Sequence, residues 1–204
     1  LPNRVDLNVM TSTTPIQIDK LDGFKYKILF VGRLSVEKNL KTLIRSVALL
    51  GQDYGLCIVG HGDNSEYQDL AVNQGVLHQC QFVDRVPNED LPRYFSWCNC
   101  MCMPSLVEGF PKTSIEAMAC NVVFVTSNIA PMNEYVENGF NGVLIDNYQI
   151  PSFVAEAIKK VCEDESLRNN IKNNVRKSVE CFEKSTIDKM EMEYYQQILT
   201  LKDK

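Results

Sequence analysis

Six short runs rich in β-branched and other apolar residues, each followed by a helix-length segment, constrain this chain more than any other feature. The runs are Tyr26–Val31 (YKILFV), Gly55–Val59 (GLCIV), Gln79–Val83 (QCQFV), Asn99–Met103 (NCMCM), Val122–Thr126 (VVFVT) and Gly142–Ile145 (GVLI). Helices are expected near 39–50, 64–74, 88–96, 112–119 and 131–137, and then after Pro151, after Asp164 and from about Thr186. Alternation of this kind yields a parallel sheet with helices on both faces. The expected class is therefore α/β, a doubly wound parallel sheet, with any ligand in the crevice at the carboxyl ends of the strands. Gly32, Gly60-His61-Gly62 and the stretch Asp84 to Pro87 stand at those ends.

Composition narrows the partners. A chain of 204 residues that is 45% apolar and 23% charged suits one globular core. The net charge of -5, with Lys and Arg scattered along the chain, argues against a nucleic-acid surface, which needs clustered cations to neutralise phosphates. No apolar run approaches the roughly 18 to 20 residues that span a bilayer, and Leu1 to Asn8 does not read as a secretory signal. A cytoplasmic protein is expected, with peripheral attachment to the cytoplasmic face of a membrane left open. Eight cysteines without a signal segment read as reduced thiols. Cys98, Cys100 and Cys102 alternate as the buried face of a strand would and lack the C-x2-C spacing of zinc knuckles, so no metal is expected. His61 and His78, the two histidines, read as surface or core residues.

Three segments are distinguished. Residues 1–22, rich in Thr, Pro and Asp and without periodicity, read as a linker from an upstream element. Residues 23–185 hold the sheet and its helices. Residues 186–204 form a C-terminal helix with Ile187, Met190, Tyr194 and Ile198 on one stripe, which would pack on its own domain or, as expected here, toward a neighbouring N-terminal lobe.

Two clusters at strand ends carry charge. In Glu108-Gly109-Phe110-Pro111-Lys112-Thr113-Ser114-Ile115-Glu116 a Gly-containing loop enters a helix, presenting free backbone N–H groups and the positive end of the helix dipole to an anion. An ordinary capped helix, its acidic residues suiting the dipole, accounts for the same residues. In Gly32-Arg33-Leu34-Ser35-Val36-Glu37-Lys38 a guanidinium and an ammonium share one loop and would neutralise a diphosphate without a metal. Lys38 would equally pair with Glu37 or stay solvated.

Taken together and in this order, the segments PNRVD at 2–6, VGRLSVEKNL, VGHG at 59–62, Pro104-Ser105, EGFPKTSIEAMA and NGFNG at 138–142 resemble the large family of retaining GT-B glycosyltransferases with an E-x7-E motif, the glycosyl transferases group 1. The resemblance covers nearly the whole chain and implies a Rossmann-like, C-terminal, donor-binding lobe of a two-lobed enzyme. It implies transfer of a sugar, with retention, from a UDP- or GDP-sugar to a glycan, lipid-linked or other acceptor held by an N-terminal lobe. No further cofactor is implied. By the same resemblance Arg33 and Lys38 hold the diphosphate, Glu108 lies by the transferred sugar, and Glu116 binds the ribose hydroxyls. Gly109, Phe110, Pro111, Lys112 and Thr113 line sugar and phosphate, Arg85 and Val86 lie along the base, and Gly60 lets the backbone approach the ligand. The chain departs from the family pattern at Arg4, at Asn121-Val122-Val123 and at Asn128 to Asn133, departures read as tuning of donor or acceptor choice. A sugar-nucleotide epimerase of the same fold and a binding module without catalysis are the alternatives.

Overall fold

A computed structural model describes residues 2–202, so Leu1 of the 1–22 segment and residues 203–204 of the terminal segment lie outside the described residues. Six strands form one parallel sheet: β1 Tyr26–Val31, β2 Tyr54–Val59, β3 Cys80–Val83, β4 Cys100–Met103, β5 Val123–Ser127 and β6 Val143–Ile145. Their order across the sheet is β3-β2-β1-β4-β5-β6. Parallel strands need both faces covered, and β2 accordingly is buried at every residue despite lacking polar alternation.

The helices follow from stripes and caps. In α1 (Leu40–Leu50) Leu40, Leu43, Ile44 and Val47 fall on one buried face. Gly51, at φ 90, stops it. Helices α2 (Ser65–Asn73), α3 (Leu91–Trp97), α4 (Lys112–Ala119) and the short α5 (Met132–Tyr135) fill the later crossovers. Then α6 (Pro151–Glu163) opens on a proline and packs against α1, while α7 (Glu165–Val175) is capped by Asp164, whose carboxylate accepts the Leu167 N–H at 2.9 Å. The last helix, α8, spans Lys184–Lys202.

The order reverses at β1, where β2 lies on one side and β4 on the other. Pairing of β1 with β4 extends over Ile28↔Cys100 and Leu29↔Met101. Both strands run on past that register, to Val31 and Met103, so their carboxyl ends diverge and open the crevice expected at a topological switch point.

The segment 2–22 is packed onto the domain. Val5, Met10, Ile18 and Leu21 are buried. The Arg176 guanidinium, which needs several acceptors once half-buried, donates to the carbonyls of Leu7, Met10 and Ala119. Val5 also bridges Glu183, its N–H donating to Phe182 O at 2.9 Å and its carbonyl accepting from Lys184 N at 2.8 Å. The start of the described chain is thus tied to the foot of α8.

One expectation is corrected here, and the terminal helix shows how its stripe is placed. Of that stripe Ile187 is buried and Ile198 half-buried, whereas Met190 and Tyr194 are exposed together with Met192, Tyr195 and Leu199. In the first turns of this helix Arg4 pairs with Asp188 and Glu191. Cys98 is not on the strand: it follows α3, its thiol donating to the Phe95 carbonyl, and β4 begins two residues later. Cys100 and Cys102 do occupy the buried face, and burial raises the thiol of Cys102 well above its ordinary range. Among the described residues no helix is long and apolar enough to cross a membrane.

Candidate functional site

A cleft of ≈ 330 Å³ lies at the carboxyl ends of β1, β2 and β3. Val31, Gly32 and Arg33 form one wall, and Val59, Gly60 and His61 the next. The loop after β3 adds Arg85, Val86 and Asn88, and Thr113 at the start of α4 closes the side toward β4. Two guanidinium-bearing residues and the first turn of a helix that has no side-chain cap thus face one concavity over an apolar floor. Of the candidate residues, Arg33, Gly60, Arg85, Val86 and Thr113 line this cleft, whereas Lys38, Glu108, Gly109, Phe110, Pro111, Lys112 and Glu116 are not among its lining residues. Asn88 and His61 are cleft residues that the sequence did not single out for a role.

Gly60 has a structural reason of its own. A Cβ there would sit 1.8 Å from the Gly32 carbonyl oxygen, so the ends of β1 and β2 approach closely at this glycine, which also lines the cleft. The Gly60 N–H donates to Val83 O and the Gly32 N–H to Val59 O, both at 3.0 Å, which locks the three strand ends in one layer.

Lys38 takes neither local alternative: it does not pair with Glu37 and does not stay in water. Its ammonium crosses the switch point and donates to both oxygens of Glu108, at 2.6 and 2.8 Å, while Ser105 Oγ donates to the same carboxylate at 2.7 Å. The Glu108 side chain is 5% exposed and that of Lys38 16%, so the pair is formed in a nearly water-free place where a lone charge would be costly. A local partner at position 37 loses because the loop is folded toward β4. Leu106 N donates to Glu37 O at 2.7 Å, and the Asn39 amide donates to the carbonyls of Pro104 and Tyr148, at 2.9 and 3.1 Å. Asn39 sits at φ 53, a left-handed conformation that asparagine tolerates.

Glu116 lies on α4 with its side chain 2% exposed. One oxygen, Oε1, accepts from Asn88 Nδ2 and lies by Lys112 Nζ, each at 3.2 Å. Lys112 reaches it from the preceding turn of the same helix, whereas Asn88 reaches it from the loop after β3.

The remaining residues of the E-x7-E loop hold its shape. Gly109 is exposed with open space where a Cβ would be. Phe110 joins an aromatic cluster with Tyr135 and Phe182, ring centroids 5.2 and 5.1 Å away, and its carbonyl accepts from Asn3. Pro111 precedes α4, and its carbonyl accepts from Ser114 Oγ at 2.6 Å. Ser114 Oγ also bonds the Tyr135 hydroxyl at 2.7 Å, and burial raises the Tyr135 phenol well above its usual range, so it stays protonated. These contacts tie the loop before α4 to the segment 2–22 and to the chain just before α8.

A doubly wound sheet with a cationic cleft and a helix start at its switch point defines a Rossmann-like α/β domain. The sequence model of the family described as glycosyl transferases group 1 matches residues 14–178, and the chain belongs to that family. It is 31% identical over 169 residues to an uncharacterized glycosyltransferase of Methanocaldococcus jannaschii, a match that covers 81% of this chain and 43% of that protein. Among solved structures it is similar to sucrose-phosphate synthase from Thermosynechococcus elongatus (TM-score 0.87, 24% identity, 98% of this chain and 52% of that one). It is similar also to Anabaena HepE in complex with UDP-glucose (TM-score 0.86, 22% identity, 95% and 56%). The structural neighbours are GT-B glycosyltransferases. This chain spans about half the length of each of these three proteins.

Proposed function

We propose that this chain is the C-terminal, donor-binding lobe of a retaining glycosyltransferase that takes a UDP- or GDP-sugar. The observation that carries the reading is the cleft at the carboxyl ends of β1, β2 and β3, which Arg33, Arg85 and Thr113 of the first turn of α4 line together. Guanidinium groups and a helix start together suit a diphosphate, whose charge grows as the glycosidic bond breaks. The UDP-glucose bound by a protein of the same fold supports a nucleotide sugar as the ligand class.

In this reading Arg33 contacts the diphosphate, and Lys38 adds the one ammonium donor that its pair with Glu108 leaves over. Glu108, held by Lys38 and Ser105, positions the sugar or steadies positive character at the anomeric carbon. Glu116 accepts from the ribose hydroxyls, and Val86 and Arg85 flank the base. Departure of the diphosphate is assisted by fixed cations and helix-end N–H groups, so no metal is required. The acceptor, a glycan, lipid-linked or other molecule as in polysaccharide assembly, is held by an N-terminal lobe. Without that lobe this chain binds donor but transfers no sugar, because an unheld acceptor forfeits roughly 7 to 11 kcal/mol of barrier lowering. The whole enzyme works in the cytoplasm, attached peripherally to a membrane if its acceptor is lipid-linked.

A thermal-shift panel of nucleotide sugars, nucleoside diphosphates and monophosphates tests this. UDP or GDP and the matching sugar nucleotide are expected to raise the unfolding midpoint, and the monophosphate far less. A panel in which no nucleotide raises it would refute the reading.

A further inference from the structure

We propose that Asn88 is a ribose-binding residue that also holds Glu116 in place, an inference that rests on the reading of Glu116 just given. Glu116 is a nearly buried carboxylate whose two partners share a single oxygen. Lys112 is a weak clamp by itself: its side chain is 54% exposed, and screening by water leaves such an ion pair little strength. Asn88 is a neutral donor from a different crossover, on a one-turn 3-10 segment, Asn88–Asp90, that follows Pro87. Its bond therefore fixes the carboxylate relative to the loop after β3, which the helix cannot do alone.

The consequence is a division of labour between the two oxygens. Oε1 is spoken for by Asn88 and Lys112, and Oε2 has no hydrogen-bond donor among the described residues. A carboxylate held in this way by Oε1 leaves Oε2 to accept from a donor hydroxyl without losing its own support. Asn88 also lines the cleft, and its side-chain carbonyl is left to accept from the neighbouring hydroxyl of a vicinal diol. The pair Asn88 and Glu116 thus reads the cis-diol of a ribose, and a sugar lacking one hydroxyl leaves an acceptor unmatched.

Calorimetric titration of the wild-type chain and of Asn88→Ala with UDP and 2′-deoxy-UDP, or with the guanosine pair if GDP is the base bound, tests the proposal. Asn88 is exposed, so the variant folds, and its unfolding midpoint reports this directly. We expect Asn88→Ala to bind the ribonucleotide about fivefold more weakly, as fits one neutral hydrogen bond, with the deoxy form nearly unchanged, so that the ribose-to-deoxyribose preference falls. Equal weakening of both nucleotides, no change in either, or tighter binding by the variant would overturn the role given to Asn88 and leave the donor-lobe reading standing. Failure of the wild-type chain to bind either ribonucleotide would overturn both.

Discussion

Lys38→Met is the substitution whose cost the structure fixes best. It keeps the length of the side chain and removes the ammonium that bonds both Glu108 oxygens, at 2.6 and 2.8 Å. Glu108, 5% exposed, would then keep only the Ser105 hydroxyl, 2.7 Å away, as a donor. Breaking a buried pair by removing one partner costs about 3 to 5 kcal/mol, and because Lys38 is itself 16% exposed, the lower end, about 3 kcal/mol, is expected. At about 2 to 4 °C per kcal/mol for a domain of this size, the unfolding midpoint should fall by about 6 to 12 °C. Replacing both partners, as in Lys38→Met with Glu108→Gln, removes the stranded charge and should return stability to within about 1 kcal/mol of wild type. Urea unfolding of the two single variants and the double variant at pH 7 supplies the cycle. A double variant as unstable as the sum of the singles would show that the two residues do not act as a pair, and the reasoning would fail.

Gly60→Ala should destabilise by at least about 3 kcal/mol, because the Gly32 backbone oxygen is in the way, whereas Gly109→Ala, with open space around it, should stay within about 0.5 kcal/mol; chemical denaturation compares the two. Native-state labelling with a thiol reagent should modify Cys181 rapidly and leave the other thiols slow, since it is the exposed cysteine and burial pushes Cys57 and Cys80 up to about 12; rapid modification of several thiols would contradict the packed core. Glu116→Ala should weaken binding of the free nucleoside diphosphate by roughly tenfold or more, as fits the loss of charge-assisted bonds of about 1.5 to 3 kcal/mol, while Glu108→Gln should spare it; equal losses in calorimetry would remove the sugar-side role given to Glu108.

The strands were legible because each is a dense apolar run bounded by polar residues, and the observed bounds differ from the expected ones by a residue or so at the ends, as at Tyr54 and Ser127. Both charged loops were legible for the same reason, since each begins where such a run stops. What joins them was not. The bond from Lys38 to Glu108 spans 70 positions and depends on β1 and β4 being neighbours, a fact of strand order that no local pattern encodes. Near it in sequence stands Glu37, a nearer but wrong partner, because its backbone is engaged with Leu106. The segment 2–22 has no periodicity to read, yet Val5, Met10 and Leu21 are buried one at a time against a finished domain. Asn88 is a single polar residue in a polar loop, and only the approach of α4 gives it a partner. In α8 the helical stripe is real, but Met190 and Tyr194 on it are exposed, so periodicity alone did not say what it packs on.

The claim that Arg33 and Lys38 serve as counter-charges for a nucleoside diphosphate is tested most directly by calorimetric titration of the chain with UDP and GDP in the presence of EDTA, alongside Arg33→Met. Saturable binding of one of the two nucleotides that is unaffected by EDTA, and weakened about tenfold or more by Arg33→Met through loss of a charge-assisted contact, is the predicted result. Binding that appears only when magnesium or manganese is added, or that Arg33→Met leaves unchanged, would contradict it.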